Sequence, residues 1–370
     1  MIFSTHKAWS LAKGANLDNS RRTLLKLGTS IALSSAVGTT HAATTPAAAN
    51  PAETTFPPQP GMGASTLRLV TFGQGTSDSP RLGAVTAQGM VVDLGATARA
   101  RGMTLAFNPA SMLSLVAAGP DAIEQARSCA ASGRPHAPLD RVRLLAPIPA
   151  PARNIYAVGW NYLEHFGESL TAKAAEANLP KHPVFFTKGT HTINGPFDPI
   201  PFDPSVSIKI DWEGELAVII GKRGRNIAES DAMQYVFGYA VINDTTARDM
   251  QVDHGGQWFK GKSLDGHGPM GPWIIPASDI DYTNLQLTTR VNGVVKQQIN
   301  TSQMYFKVPR IIAELSLGLT LEPGDIIATG TPSGIGAART PPEFLKPGDV
   351  METEIDRIGV IRNVIRRVTA

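Results

Sequence analysis

Ile208-Lys209-Ile210-Asp211-Trp212-Glu213-Gly214-Glu215-Leu216-Ala217-Val218-Ile219-Ile220 alternates with a period of two over most of its length, the period of a β-strand. The pattern predicts one extended segment. Ile208, Ile210, Trp212, Leu216, Val218 and Ile220 fall on one face, and Asp211, Glu213 and Glu215 fall together on the other, successive same-face Cα atoms roughly 6.5–7 Å apart. Three like charges on one strand face repel unless water or a cation separates them. A solvated sheet face is the plain explanation, and a further carboxylate converging on the same place argues for the cation.

Outward from this segment the chain from Asn154 onward repeats the theme: short β-branched runs at Tyr235 to Ile242, Gln286 to Val291 and Val350 to Ile355, separated by Gly, Pro and Asn turns. Such spacing predicts a β-rich α+β fold, a roll or barrel rather than alternating βα units. The 35 glycines and 28 prolines agree. The further carboxylate is Asp244, in Asn243-Asp244-Thr245-Thr246-Ala247-Arg248-Asp249, directly after the apolar strand ending at Ile242. Asp at such a junction is a common helix N-cap. If Asp244 instead meets Glu213 and Glu215, the site offers hard oxygen ligands and no thiolate, a set that selects Mg²⁺ or Mn²⁺ over Zn²⁺. The open positions then suit a small molecule with two chelating oxygens, such as a 2-oxo acid or a 1,3-dicarbonyl.

Other candidates surround this cluster. Asn161-Tyr162-Leu163-Glu164-His165-Phe166-Gly167-Glu168-Ser169 follows the strand-like Ile155 to Gly159. If it is helical, His165 and Glu168 share a face at i, i+3, and Glu168 can hold one imidazole nitrogen while the other acts as a base. Glu164 is a competing partner. Arg248, Lys262 and Lys188 supply cations, and Thr331 lies in the glycine-punctuated run Ala328-Thr329-Gly330-Thr331-Pro332-Ser333-Gly334, which either offers backbone donors to an anion or makes a tight turn.

Upstream, Ala146-Pro147-Ile148-Pro149-Ala150-Pro151 can be neither helix nor central strand, and it divides a small α+β unit at 65–149 from a larger unit at 150–370. The small unit is expected to hold strands at Leu67 to Phe72, Leu82 to Val85 and Met90 to Leu94, and a helical stretch from Ala110 to Ala131. Residues 43–64, rich in Ala, Thr and Pro, read as a flexible spacer. Residues 1–42 contain Ser20-Arg21-Arg22-Thr23-Leu24-Leu25-Lys26, a short apolar stretch from Leu27 to Val37, and small residues around Ala42. That segment resembles a bacterial twin-arginine signal, implying export of the folded protein to the periplasm; its apolar stretch is too short for the roughly 20 residues a membrane span needs.

The same segment holds five of the 34 Lys and Arg (Lys7, Lys13, Arg21, Arg22, Lys26) and one of the 31 Asp and Glu (Asp18), so removing it leaves 29 against 30. A chain with no basic excess is a poor partner for nucleic acid or an anionic membrane. One cysteine, Cys129, excludes an intramolecular disulfide framework despite the oxidising destination.

Five stretches in one order carry a resemblance from about Leu139 to the C-terminus: Leu145-Ala146-Pro147-Ile148-Pro149, Gly159-Trp160-Asn161-Tyr162, Asp211-Trp212-Glu213-Gly214-Glu215-Leu216, Asp244-Thr245-Thr246-Ala247-Arg248-Asp249, and Leu321-Glu322-Pro323-Gly324-Asp325 continuing to Pro332. Together they resemble the fumarylacetoacetate hydrolase family. The resemblance implies a mixed β-roll catalytic domain behind a small leading domain, a homodimer, and Mg²⁺ or Mn²⁺ on Glu213, Glu215 and Asp244. It further implies His165 and Glu168 as the water-activating pair, Lys262 assisting at the ion-bound oxygens, and Thr331 at the substrate carboxylate, with Arg248, Lys188 and Tyr162 as further substrate contacts. The activity it implies is metal-dependent C–C hydrolysis of an acylpyruvate or related 2,4-dioxo acid. Decarboxylation of a 2-oxo diacid, isomerisation of a dienedioate and ureidoglycolate lyase chemistry are alternatives, and a periplasmic 2-oxo acid binding protein without turnover is the alternative of another class. Gly189-Thr190-His191 and the insertion-like Thr171 to His182 depart from the commoner pattern, where substrate side groups would be selected.

Overall fold

β-branched and aromatic runs punctuated by Gly and Pro build two large sheets and two two-stranded ones among the described residues, with short helices in the connections. The computed structural model describes Pro57, Gln59, 66–74, 77–168 and 179–368. The twin-arginine segment at 1–42, nearly all of the 43–64 spacer and the larger part of the Thr171 to His182 stretch lie outside the described residues.

The leading part is a meander of β1 (Leu69–Gln74), β2 (Ser77–Val85) and β3 (Met90–Asp93), flanked by α1 (Leu94–Ala100), α2 (Met112–Ala118) and α3 (Pro120–Ser132). Asp93 starts α1 by accepting the amide of Ala96 at 2.7 Å, as an N-cap does. The single helix expected from Ala110 to Ala131 is two helices, because Gly119 takes a φ of 74° and Pro120 opens the second; proline suits a first turn and ends whatever precedes it.

The larger part adds β4 (Ile155–Gly159), α4 (Leu163–Glu168), β5 (Val184–Lys188), β6 (Gly214–Ile220), β7 (Val236–Asn243), α5 (Arg248–Asp253), α6 (Trp258–Lys262), β8 (Gly268–Pro276), β9 (Gln286–Val291), β10 (Val294–Asn300), α7 (Val308–Ser316), β11 (Ile326–Ala328), β12 (Val350–Ile355) and β13 (Gly359–Arg367). The main sheet runs β3-β2-β1-β8-β7-β6-β11-β4-β5, and the second runs β10-β9-β12-β13 with Ile200–Phe202 at its edge. The fold is therefore β-rich and mixed, with β11 and β4 parallel inside an otherwise mainly antiparallel sheet. Leu69 of β1 pairs with Ile274 of β8, so the 65–149 and 150–370 stretches share one sheet, and the described residues form one compact unit. The proline-rich passage between them is tied down by a hydrogen bond from Thr71 Oγ1 to the Pro147 carbonyl at 2.6 Å.

The main sheet is covered on both faces. Leu216, Val218 and Ile220 of β6 join a core with β9, β12 and α7, whereas Ala217 and Ile219 join another with α2 and α3. This corrects the reading of Ile208 to Ile220 as one half-solvated strand. Ile210–Asp211 pairs with Thr246–Ala247, the chain leaves the ladder at Trp212 and Glu213, and β6 begins at Gly214. Ile210 and Trp212 pack in a third cluster with Met351 and Ile365, and Ile208 is exposed.

Candidate active site

Register brings the acidic residues together. Gly214 lies opposite Asn243 in the β6–β7 pair, and just past that pair the Asp244 amide donates to the Glu213 carbonyl at 2.8 Å. Glu213 and Asp244 thus leave two hydrogen-bonded neighbouring strands at the same end, and Glu215 stands two residues along on the side of Glu213, since alternate residues of a strand share a face. One carboxylate oxygen of each of Glu213, Glu215 and Asp244 lies within 4.8 Å of the others, and all three residues are buried. Gly214 is required between them: a Cβ there would sit 2.2 Å from Thr289 Oγ1.

Two lysines face this cluster. The Lys262 ammonium bridges Glu213 Oε2 and Asp244 Oδ2 (2.7 Å to the latter), while Lys188, fully buried, lies 2.8 Å from Asp244 Oδ1. Burial would raise the pKa of Glu213, but Lys262, then Arg248 and His165, outweigh it and hold the carboxyl at about 2. Glu215 goes the other way: burial first, and then the charges of Asp244 and Glu213, push it well above the usual carboxylate range, against a single short hydrogen bond from the Gly330 amide at 2.7 Å. Counting Asp211, four acids stand against Lys188, Lys262 and Arg248. A divalent cation fits this set. The ligands are all hard oxygens, an ammonium already bridges two of them, and a 2+ charge converts a surplus of one anion into a surplus of one cation that a substrate carboxylate can neutralise.

α4 carries the proposed base. His165 is buried, and its Nδ1 lies 3.2 Å from Glu168 Oε2; Glu168 also accepts the Gly334 amide at 2.8 and 3.1 Å. With Nδ1–H donating to Glu168, Nε2 keeps its lone pair. Glu164 is not the partner, for it accepts the hydroxyl of Ser333 at 3.0 Å.

These groups line one cavity of about 390 Å³, to which Glu213, Glu215, Lys262, Arg248, His165 and Glu168 all contribute. Its apolar wall includes Trp160, Phe186 and Trp258, with Trp258 edge-on to both other rings at centroid distances of 5.0 and 5.1 Å.

The comparisons with known proteins bear on the family. Residues 154–366 match the model for the fumarylacetoacetate (FAA) hydrolase C-terminal domain. The chain is similar over 305 residues, at 41% identity, to a mitochondrial oxaloacetate tautomerase of Xenopus laevis, covering 82% of this chain and 91% of that one. The chain belongs to the fumarylacetoacetate hydrolase family. It is also 48% identical over 228 residues to the oxaloacetate tautomerase YisK of Bacillus subtilis (61% of this chain, 74% of that one). Among solved structures it resembles maleylpyruvate hydrolase from Sphingobium sp. SYK-6 in complex with manganese(II) ion and pyruvate, at 30% identity and a TM-score of 0.64, covering 82% of this chain and 100% of the other.

Within the fumarylacetoacetate hydrolase fold the residues singled out from sequence take different stations. Glu213, Glu215, Asp244 and Lys262 cluster, and His165 with Glu168 opens onto the same cavity. Thr331 lines it as well, with its hydroxyl given to the Gly214 carbonyl at 3.1 Å and accepting from Gln297 Nε2 at 2.7 Å. Arg248 reaches the wall, but its nitrogens go to Asp211 at 2.7 Å, Glu213 at 2.6 Å and Gln251 at 3.1 Å; burial opposes its charge, and Asp211 and Glu213 more than restore it. It positions a carboxylate. Tyr162 and Lys188, expected as substrate contacts, stand outside the residues that line the cavity, as Asp244 also does. Tyr162 is buried in the core, and burial, with Glu215 beside it, raises its phenol pKa. Lys188 backs Asp244 from behind, bonded also to the carbonyls of Lys262 and Thr245, with burial depressing its pKa despite Asp244.

Asp211 and the aromatic wall escaped the sequence. Asp211, grouped there with the other two strand acids, accepts the amides of Trp212 (2.8 Å), Gly336 (2.7 Å) and Ala337 (3.0 Å) besides Arg248, which ties the 334–337 loop to the acidic cluster. Asn161 likewise bonds Phe306 O, Phe306 N and Thr329 O at 3.0, 2.7 and 2.7 Å. Its place in Gly159-Trp160-Asn161-Tyr162, immediately after a strand, was the available signal.

Proposed function

We propose that this family member is a divalent-metal-dependent enzyme that moves a proton between C3 and the 2-oxo oxygen of a 2-oxo acid, a keto–enol tautomerase. The observation that carries the reading is the Glu168-held imidazole of His165 opening onto the same cavity as Glu213 and Glu215 of the three-carboxylate cluster. The names of the Xenopus laevis and Bacillus subtilis relatives, both oxaloacetate tautomerases, support it.

A bound Mg²⁺ or Mn²⁺ would be held by Glu213, Glu215 and Asp244 and would supply Lewis-acid polarisation of the substrate oxygens. The chain does the rest. His165 Nε2 takes the C3 proton, and the C–H bonding pair shifts to make the C2–C3 double bond as negative charge grows on the 2-oxo oxygen. Glu168 steadies the imidazolium through Nδ1–H. Lys262 places its ammonium beside the oxygens where charge accumulates, and the proton returns to oxygen with no water consumed. The apolar wall keeps solvent from the reacting carbon.

A second reading, C–C hydrolysis of an acylpyruvate, draws on the same dyad activating a water and on the likeness to maleylpyruvate hydrolase. The mass of the product separates them: hydrolysis gives two acids, tautomerisation one isomer. A binder without turnover has no use for an oriented base. The twin-arginine segment supports a periplasmic site of action, and the family resemblance supports a homodimer. The deciding experiment is turnover of oxaloacetate and of acylpyruvates by the manganese-loaded protein and by His165→Ala. Loss of a general base costs about 10²–10⁴-fold while manganese binding stays intact; unchanged turnover overturns His165 as the base.

A further inference from the structure

One wall of the cavity is aromatic. Trp160 and Trp258 meet edge to face at 5.0 Å and 88°, and Phe186 meets Trp258 at 5.1 Å and 71°. The seat is shaped by backbone. A Cβ on Gly159 would lie 2.6 Å from the Trp258 ring, so only glycine lets the indole lie down there, and Trp160 holds a left-handed φ of 55°, a conformation non-glycine residues keep only where their surroundings impose it. Phe186 also faces the acidic cluster, with the Lys262 ammonium 5.1 Å from its ring centroid.

The cations point the same way. Among the described lining residues every cationic group already has an acid on this chain: Lys262 has Glu213 and Asp244, Arg248 has Asp211 and Glu213, and His165 has Glu168. A second carboxylate on the substrate set against Trp160, Phe186, Trp258, Val158 or Ile335 would meet, among the described lining residues, no cation that lacks an acid of its own. Burying an unpaired charge costs far more than burying a ring. At about 390 Å³ the cavity also falls in the range that encloses drug-sized ligands, well beyond a four-carbon diacid.

We infer that the Trp160–Phe186–Trp258 wall is a subsite for an aromatic or large apolar substituent on C3 of the 2-oxo acid, making 3-aryl-2-oxo acids, rather than dicarboxylates such as oxaloacetate, the preferred substrate class. This rests on the proposed tautomerase reading of the same site. The step balances as before: one C3 proton leaves carbon, one O–H forms, and nothing is oxidised.

The test uses manganese-loaded protein with phenylpyruvate and oxaloacetate as substrates, and calorimetric titration with phenylpyruvate and pyruvate as a readout independent of turnover. The expected result is a kcat/KM for phenylpyruvate on the order of tenfold or more above that for oxaloacetate, with phenylpyruvate binding tighter than pyruvate by a similar factor. Trp258→Ala should lower kcat/KM for phenylpyruvate by about tenfold more than it lowers that for oxaloacetate, and Trp258→Phe should restore most of that margin. If Trp258→Ala fails to fold, Phe186→Leu is read in the same way. Preference for oxaloacetate, or equal loss on both substrates, overturns the subsite. Absence of turnover on either substrate, with tight Trp258-dependent binding of phenylpyruvate, supports the subsite and overturns the tautomerase reading; no turnover and no binding preference overturns both.

Discussion

Replacing Asp211 with Asn should damage this protein more than removing any surface ion pair. Oδ1 of Asp211 accepts the amides of Trp212 and Gly336, and Oδ2 accepts Ala337 and Arg248 Nε at 3.0 and 2.7 Å. An asparagine has one carbonyl oxygen, so in either orientation its NH₂ faces two N–H donors. The Arg248 guanidinium also loses one of its two buried carboxylates. Removing one partner of a buried pair costs about 3–5 kcal/mol, and at roughly 2 °C per kcal/mol for a chain of this size that lowers Tm by about 6–10 °C. Activity should fall as well, because the loop that Asp211 anchors carries the Gly334 amide that holds Glu168. Thermal unfolding followed by differential scanning calorimetry, with and without manganese, reads the first effect. A shift below about 2 °C for Asp211→Asn would refute the claim that this carboxylate ties the loop to the acidic cluster.

Chelation should stop turnover and lower Tm; restoring manganese to a hundredfold over its dissociation constant adds back about 2.7 kcal/mol, and a Tm indifferent to metal removes the carboxylate cluster as a metal site. His267 donates through Nε2 to the Pro201 carbonyl at 2.8 Å, and burial, with Lys188 nearby, depresses its pKa from 6.5 to about 4. The charged form is disfavoured in the fold, so its contribution is fully present above pH 6.5 and is lost as pH falls from there through 4, about 3 kcal/mol in all; urea titrations at pH 7, 5.5 and 4 should show this slope flattened in His267→Gln. Replacing Arg21 and Arg22 by Lys should keep the protein in the cytoplasm of an exporting bacterium, read by fractionation, and periplasmic accumulation of the variant would count against the twin-arginine reading.

How much of this was legible depended on distance along the chain. Glu213 and Glu215 were readable from a period of two, and Asp244 from its place at a strand end; His165 and Glu168 needed only the spacing of one helical turn. Their convergence was not readable, because it depends on the β6–β7 register, which sets Gly214 opposite Asn243. Periodicity misled at Ile208 to Trp212, where an apolar alternation looks the same whether a strand continues or, as here, breaks and changes partners. The aromatic subsite was invisible for a plainer reason: Trp160, Phe186 and Trp258 come from three separate segments. The packing of Tyr162 was not readable either: a phenol beside a polar motif reads as a contact, whereas the fold sets it in the core.

The placement of the two lysines explains why the acidic cluster can exist before any metal arrives. Lys188 comes from β5, across the sheet from the acidic strand end, and Lys262 from the end of α6; together they neutralise Asp244 and Glu213, leaving Glu215 as the acid whose charge nothing on the chain fully balances. Replacing Lys262 with Met should then raise the affinity for a proton at Glu213 and raise it further at Glu215, which Lys262 also holds down, and manganese binding should become more steeply pH-dependent as two acids rather than one must deprotonate. Manganese titrations of both proteins between pH 5 and 8 measure that slope. Equal slopes would mean that Lys262 does not hold Glu213 ionised, and its closeness to Asp244 at 2.7 Å would then reflect packing rather than preparation of the site.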